Sequence, residues 1–89
     1  MSLDAYRDKL LEEVARERNR QDTKWGGVRH DENLSPHDWF ELIDDYNAWA
    51  RRMALMRSRT KARKRYIQVA ALALAAIEAL DRGITEPTL

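Results

Sequence analysis

Apolar residues along this chain recur mostly at helical spacing, in three stretches. Leu3, Tyr6, Leu10 and Val14 step by three and four, which predicts an amphipathic first helix over 3–20. Carried on by the same steps, the stripe reaches Glu17 or Arg18, then Gln21, then Trp25. It turns polar while still pointing inward. That marks either a helix leaving the core or polar groups aimed into a pocket. In the second stretch Trp39, Ile43, Tyr46, Ala50 and Met53 repeat by four and three, widened by Leu42, Trp49 and Met56. Ser35 as N-cap, Pro36 in the first helical position and Asp38 in the first turn set its start, predicting a helix over 36–56.

The third stretch, Tyr66 to Leu80, is apolar on every side apart from Gln68 and Glu78. Its Ala and Leu content favours helix over strand. A third helix is predicted over 61–82, with Ser58 or Thr60 as cap and Gly83 just past its end. A helix apolar all round must be surrounded by protein or lipid. The run falls short of the roughly 20 apolar residues that span a bilayer, so its neighbours are expected to be protein. Its alanines let those neighbours approach closely.

Between the first two helices, residues 21–34 carry the Gly26–Gly27 pair and no helical or strand period. They are expected to form an ordered loop with Trp25 packed as a plug. Residues 84–89 are expected to be a short tail. The whole is an all-α chain, one domain over 1–89. A domain of 89 residues buries only about 60–65% of its unfolded surface. With no cysteine to cross-link it, a homo-oligomeric helical bundle, a dimer or higher, is the expected assembly. The charged N-terminus, MSLDAYRDKLLEEV, has no signal-peptide h-region, so the expectation is a cytoplasmic protein with no membrane partner.

Net charge is +1, but charge is segregated. Residues 31–45 hold six acids and no Lys or Arg, and residues 51–65 hold eight Lys or Arg and no acid. Such blocks can complement one another within a fold, between subunits, or against an anion. Against nucleic acid, there is no excess of positive charge, no aromatic residue is interleaved with the basic run, and the run straddles a turn. A cluster holding the phosphates of a small nucleotide is the other use of these cations.

Glu41, Asp44 and Asp45 are the candidate Mg²⁺ ligands, with Glu41/Asp45 and Asp44/Asn47 as the pairs sharing a helix face. The competing reading is a solvated acidic face paired with Arg51, Arg52 or the Arg63, Lys64, Arg65 cluster. His30, Asp31, His37 and Asp38 offer zinc-type ligands at a spacing that matches no metal motif. Nucleophilic catalysis has no support: Cys is absent, and the few Ser and Thr sit mostly at caps or near the tail.

The run Glu17-Arg18-Asn19-Arg20-Gln21-Asp22-Thr23-Lys24-Trp25-Gly26-Gly27, followed by His30-Asp31, resembles the opening signature of small phage and prophage proteins. Residues Ile67 to Glu78 resemble their final helix. The layout also resembles the MazG-like, all-α nucleotide pyrophosphohydrolases. That resemblance implies a helical homodimer or tetramer with Mg²⁺ and a nucleoside triphosphate between helices, and a phage-encoded copy would act in the host cytoplasm. The family's E-E-x-x-E motif maps best onto Asp44-Asp45-Tyr46-Asn47-Ala48, where the third acid is lost. Its E-x-x-D motif falls at Arg65 to Gln68, where neither acid is present. The departure implies nucleotide binding without hydrolysis, in which Arg65 meets phosphate in place of a metal-site acid. The alternatives are an active Mg²⁺-dependent pyrophosphohydrolase and a structural, partner-binding or nucleic-acid-binding phage protein.

A ligand site is expected where three features converge: the inward stripe of the first helix where it turns polar, at Glu17 and Gln21; Lys24, Trp25, Gly26, His30 and Asp31 in the loop; and Trp39 and Asp45 on the second helix. Lys24 would meet phosphate, Trp25 or Trp39 would stack on a base, and Glu17 or Gln21 would read its polar edges. The competing reading is that Trp25 and Gln21 only pin the loop to the bundle.

Overall fold

The computed structural model describes residues 2–26 and 34–82, which form three α-helices and no strand among the described residues. The first, α1, runs Leu3–Trp25. Ser2 caps it, its hydroxyl accepting the Ala5 backbone N–H at 3.1 Å. The helix does not stop at residue 20 as the loop reading required. Nothing between Gln21 and Trp25 breaks a helix, and the stop comes where a left-handed residue first becomes inexpensive. That residue is Gly26, at φ 97°, whose N–H donates to the Asp22 carbonyl at 2.9 Å. Residues 21–25 are therefore helical, and Trp25 sits on α1 itself.

Helix α2 runs Pro36–Leu55 and opens with a reciprocal cap. The Asp38 N–H donates to Ser35 Oγ at 3.1 Å, and the Ser35 N–H donates to Asp38 Oδ2 at 2.9 Å. The chain then reverses through Met56, Arg57 and Ser58. Arg57 adopts φ 59°, and the Ser58 N–H reaches back to the Met53 carbonyl at 3.0 Å. Helix α3 follows as Arg59–Asp81. Ser58 occupies its N-cap position, but the hydroxyl makes no capping bond. Gly83, the expected stop for α3, lies outside the described residues.

The third helix is the centre of the fold and packs against both others. Trp39 from α2 and Leu72, Ala75 and Ala79 from α3 form the buried cluster. Trp25, Leu34, Ile43 and Tyr46 close around it. Ala50, Ala62 and Ala71 are also buried, so helix contacts are made through alanines, as the composition of α3 implied. In one respect the structure departs from expectation. Tyr66, Leu74, Ile77 and Leu80 remain exposed, so three helices of this length do not surround α3. On α1 the apolar stripe is likewise uncovered at Leu3 and Tyr6, and the helix engages the core through its second half. Among the described residues no helix is long and apolar enough to cross a membrane.

Candidate functional site

The polar end of the α1 stripe points inward. Arg18 is 8% exposed and Gln21 is 1% exposed, so the helix carries polar groups into the core instead of leaving it. Burial of such groups requires partners. Arg18 Nε donates to Glu78 Oε1 on α3 at 3.0 Å, and its Nη1 donates to Asp22 Oδ1 one turn along α1. Gln21 Nε2 donates to Glu17 Oε2 at 3.2 Å and to the backbone carbonyl of Gln68 at 3.4 Å. Gln68 Oε1 in turn accepts from Arg65 Nη1 at 2.9 Å.

Two buried atoms next to this network lack a partner: Gln21 Oε1, an acceptor, and Trp39 Nε1, a donor. Both residues line a cleft between the helices, together with Arg18, Asp22, Trp25 and Leu72. Its volume is about 10 Å³, about the space of one water molecule. No nucleobase fits there. Trp39, at 5% exposed, is a core residue with no free ring face, and its packing explains why it cannot act as a stacking platform in this arrangement. Trp25 is half-buried and meets Tyr46 edge-on, ring centroids 6.5 Å apart at 77°.

The structure therefore brings together Gln21, Trp25 and Trp39 of the predicted site, with Glu17 on the adjoining turn. It leaves others elsewhere. Lys24 is exposed, with its ammonium 5.8 Å from the ring centre of neighbouring Trp25. Asp45 is exposed on α2 and does not line the cleft. Arg65 lies over the Trp49 ring at 5.0 Å. Gly26 is the α1 terminator, and His30 and Asp31 lie outside the described residues. Glu41 is engaged with His37, Oε1 to Nε2 at 2.9 Å, while Asp44 and Asp45 stay exposed. Among the described residues no three His, Cys, Asp or Glu side chains gather into a group that could hold a metal ion. The supposed pairing of these acids with Arg51, Arg52 or the 63–65 cluster is also absent among the described residues.

A larger opening lies on the other side of α1, against the first turns of α3. This groove, about 480 Å³, is lined by Arg16, Arg20, Arg63, Lys64, Thr60 and Ile67, with Glu13 and Glu17. Arg63 makes a two-pronged contact with Glu13, 2.8 Å on each arm. Arg20 does the same to Glu17 at 2.9 and 2.7 Å. The hydrogen bonds from Arg63 hold the Glu13 carboxyl below its ordinary range. Those that Arg20 donates to Glu17 raise the Arg20 guanidinium further above its ordinary value. Arg16 and Lys64 have no such partner among the described residues, so the lining keeps four cations against two carboxylates. Each of these two guanidinium groups already gives one forked edge to its carboxylate, so what it can offer phosphate oxygens is its remaining N–H groups, held in a fixed plane.

The sequence named Arg18 on the inward stripe but gave no reason to include it or Asp22 in the candidate site, and it did not reveal this groove. Arg18–Asp22 was visible as a helical i, i+4 pair, and Arg18 sits one turn beyond Val14 on the stripe. The groove had no such signal, because it joins residues 13–20 to residues 60–67. No protein-family model, curated protein or solved structure matches the chain.

Proposed function

We propose that the protein binds a phosphate-bearing small molecule, a nucleotide on the strength of the MazG-like resemblance, without hydrolysing it, and that it works as a homo-oligomer. The observation that carries the binding is the groove between α1 and α3. It has the volume of a ligand site, four lining cations, and two guanidinium groups already oriented by Glu17 and Glu13. Arg16 and Lys64, neither of which makes a salt bridge among the described residues, supply the remaining charge, and Thr60 adds a hydroxyl donor. The closed cleft at Gln21 and Trp39 then serves to fix α1 against α3, which holds one wall of the groove to the other.

Supporting the absence of hydrolysis, positions 65–68 read Arg-Tyr-Ile-Gln, and Asp44 and Asp45 are exposed on α2 and belong to no group of three possible metal ligands among the described residues. Two-metal activation of water has too few ligands in that arrangement. Self-association is supported by the apolar side chains that remain uncovered on all three helices, among them Tyr6, Phe40 and Ile77.

Calorimetric titration with each nucleoside triphosphate, with and without Mg²⁺, tests the reading, with pyrophosphate detection alongside. Binding is expected, together with a loss of at least tenfold, about 1.4 kcal/mol, in Lys64→Ala and Arg16→Ala. Pyrophosphate release abolished by Asp45→Asn would establish the Mg²⁺-dependent enzyme instead. No binding to any nucleotide, with a salt-sensitive gel shift of duplex DNA, would move the same cations to a nucleic-acid role.

A further inference from the structure

The outer face of α2 carries a pattern that the groove does not use. Phe40, Asp44, Asn47, Ala48, Arg51 and Leu55 follow one another by four, three, one, three and four, so they share one stripe. All six are exposed, Phe40 at 64% and Leu55 at 72%. The spacing is symmetrical about the point between Asn47 and Ala48. An apolar residue stands at each end, an acid one turn in from the first, and a base one turn in from the last. Asp44 and Arg51 are seven residues apart, about 10 Å along the helix, too far to meet on their own chain. Neither has a hydrogen-bond or ion-pair partner among the described residues. Arg52 lines the same open depression of about 420 Å³.

We infer that this face is where two copies of the chain pair, α2 against α2, antiparallel about a two-fold axis passing between Asn47 and Ala48. The inference rests on the self-association reading above and names its surface. A two-fold contact is self-complementary: whatever residue i meets, that residue meets i in return. Here Phe40 meets Leu55 of the second copy, and Asp44 meets its Arg51. Both contacts occur twice, spread over about 22 Å of helix. The small Ala48 at the crossing point permits the close axial approach that helix packing needs. Charge also selects the orientation. A parallel pair would set Asp44 against Asp44 and Arg51 against Arg51. An antiparallel pair slipped by one turn would set Phe40 against Arg51. Both alternatives are penalised, which is how an interface specifies one register. The exposed stripe on α3 at Tyr66, Leu74 and Ile77 carries no charge and specifies neither orientation nor occupant.

Charge reversal tests this directly, with mass read by sedimentation equilibrium and helix content by circular dichroism. Wild type is expected to dimerise at micromolar concentration, less tightly as salt is raised. Asp44→Arg alone and Arg51→Asp alone each set like charges opposite one another and are expected to be helical monomers. Mixed together, the two variants are expected to form a one-to-one heterodimer, and the double variant to restore the homodimer. Single variants that self-associate as wild type does would overturn the α2 face while leaving homo-oligomerisation standing. A wild type that stays monomeric throughout would overturn both.

Discussion

Arg18 on α1 and Glu78 near the end of α3 meet Nε to Oε1 at 3.0 Å across sixty residues of sequence. The guanidinium is nearly buried, while the carboxylate is about half exposed. Arg18 also holds Asp22, so its removal leaves both acids without it. Arg18→Ala is expected to lose about 1–3 kcal/mol in urea unfolding. Arg18→Met, which keeps the stem packed, should recover part of that loss. Equal stability in all three proteins would show that the contact contributes nothing.

Leu72 is the largest apolar side chain fully buried in the core, 1% exposed and packed among Trp39, Ala75 and Ala79. Truncation to Ala leaves a cavity whose α3 wall is Ala75 and Ala79, which have little side chain with which to collapse into it. Leu72→Ala is expected to cost about 2–5 kcal/mol. A loss below about 0.5 kcal/mol, small even for an exposed site, would mean α3 is not the centre of the fold.

Arg57 holds φ 59° in the turn between α2 and α3, a left-handed conformation that a Cβ disfavours. Its side chain is exposed. Arg57→Gly is therefore expected to raise stability by about 0.5–1 kcal/mol, net of the greater unfolded-state freedom of glycine. A lower melting temperature in the variant would show that the Arg57 side chain holds something the strain relief does not repay.

The cap of α2 gives a pH signature. The Ser35 backbone N–H and hydroxyl hold the Asp38 carboxyl below its ordinary value of 3.8. A carboxyl depressed on folding stabilises above its unfolded pKa, and that stabilisation is lost as pH falls through the folded value. Acid should thus weaken the wild type more than Asp38→Asn over the pH range below about 4. At neutral pH Ser35→Ala should cost about 1 kcal/mol. Parallel acid limbs in urea midpoints for wild type and Asp38→Asn would show that the reciprocal cap is absent in solution.

Local chemistry was enough to place all three helices, because caps and apolar spacing act within one or two turns. Ser35-Pro36 and Asp38 announced the start of α2. The stripe from Trp39 to Met53 named the face it buries, and the alanines of α3 foretold close packing. The end of α1 was misplaced for a local reason as well: a paired glycine drew the boundary back from Gly26 to residue 20, although nothing polar at 21–25 prevents a helix. Which inward-facing groups would be satisfied was a different matter. Arg18 and Gln21 are tolerable in a core only because Glu78 and the Gln68 carbonyl arrive from α3, and no spacing in the sequence reports that arrival. The same holds for the cation groove, whose walls are brought together by the packing of α1 on α3. It holds too for Trp39, whose ring is taken up by Leu72, Ala75 and Ala79 before any ligand could reach it. Helices are written in neighbours along the chain, whereas a site is written in neighbours across it, and those are set by how the apolar faces share one small core.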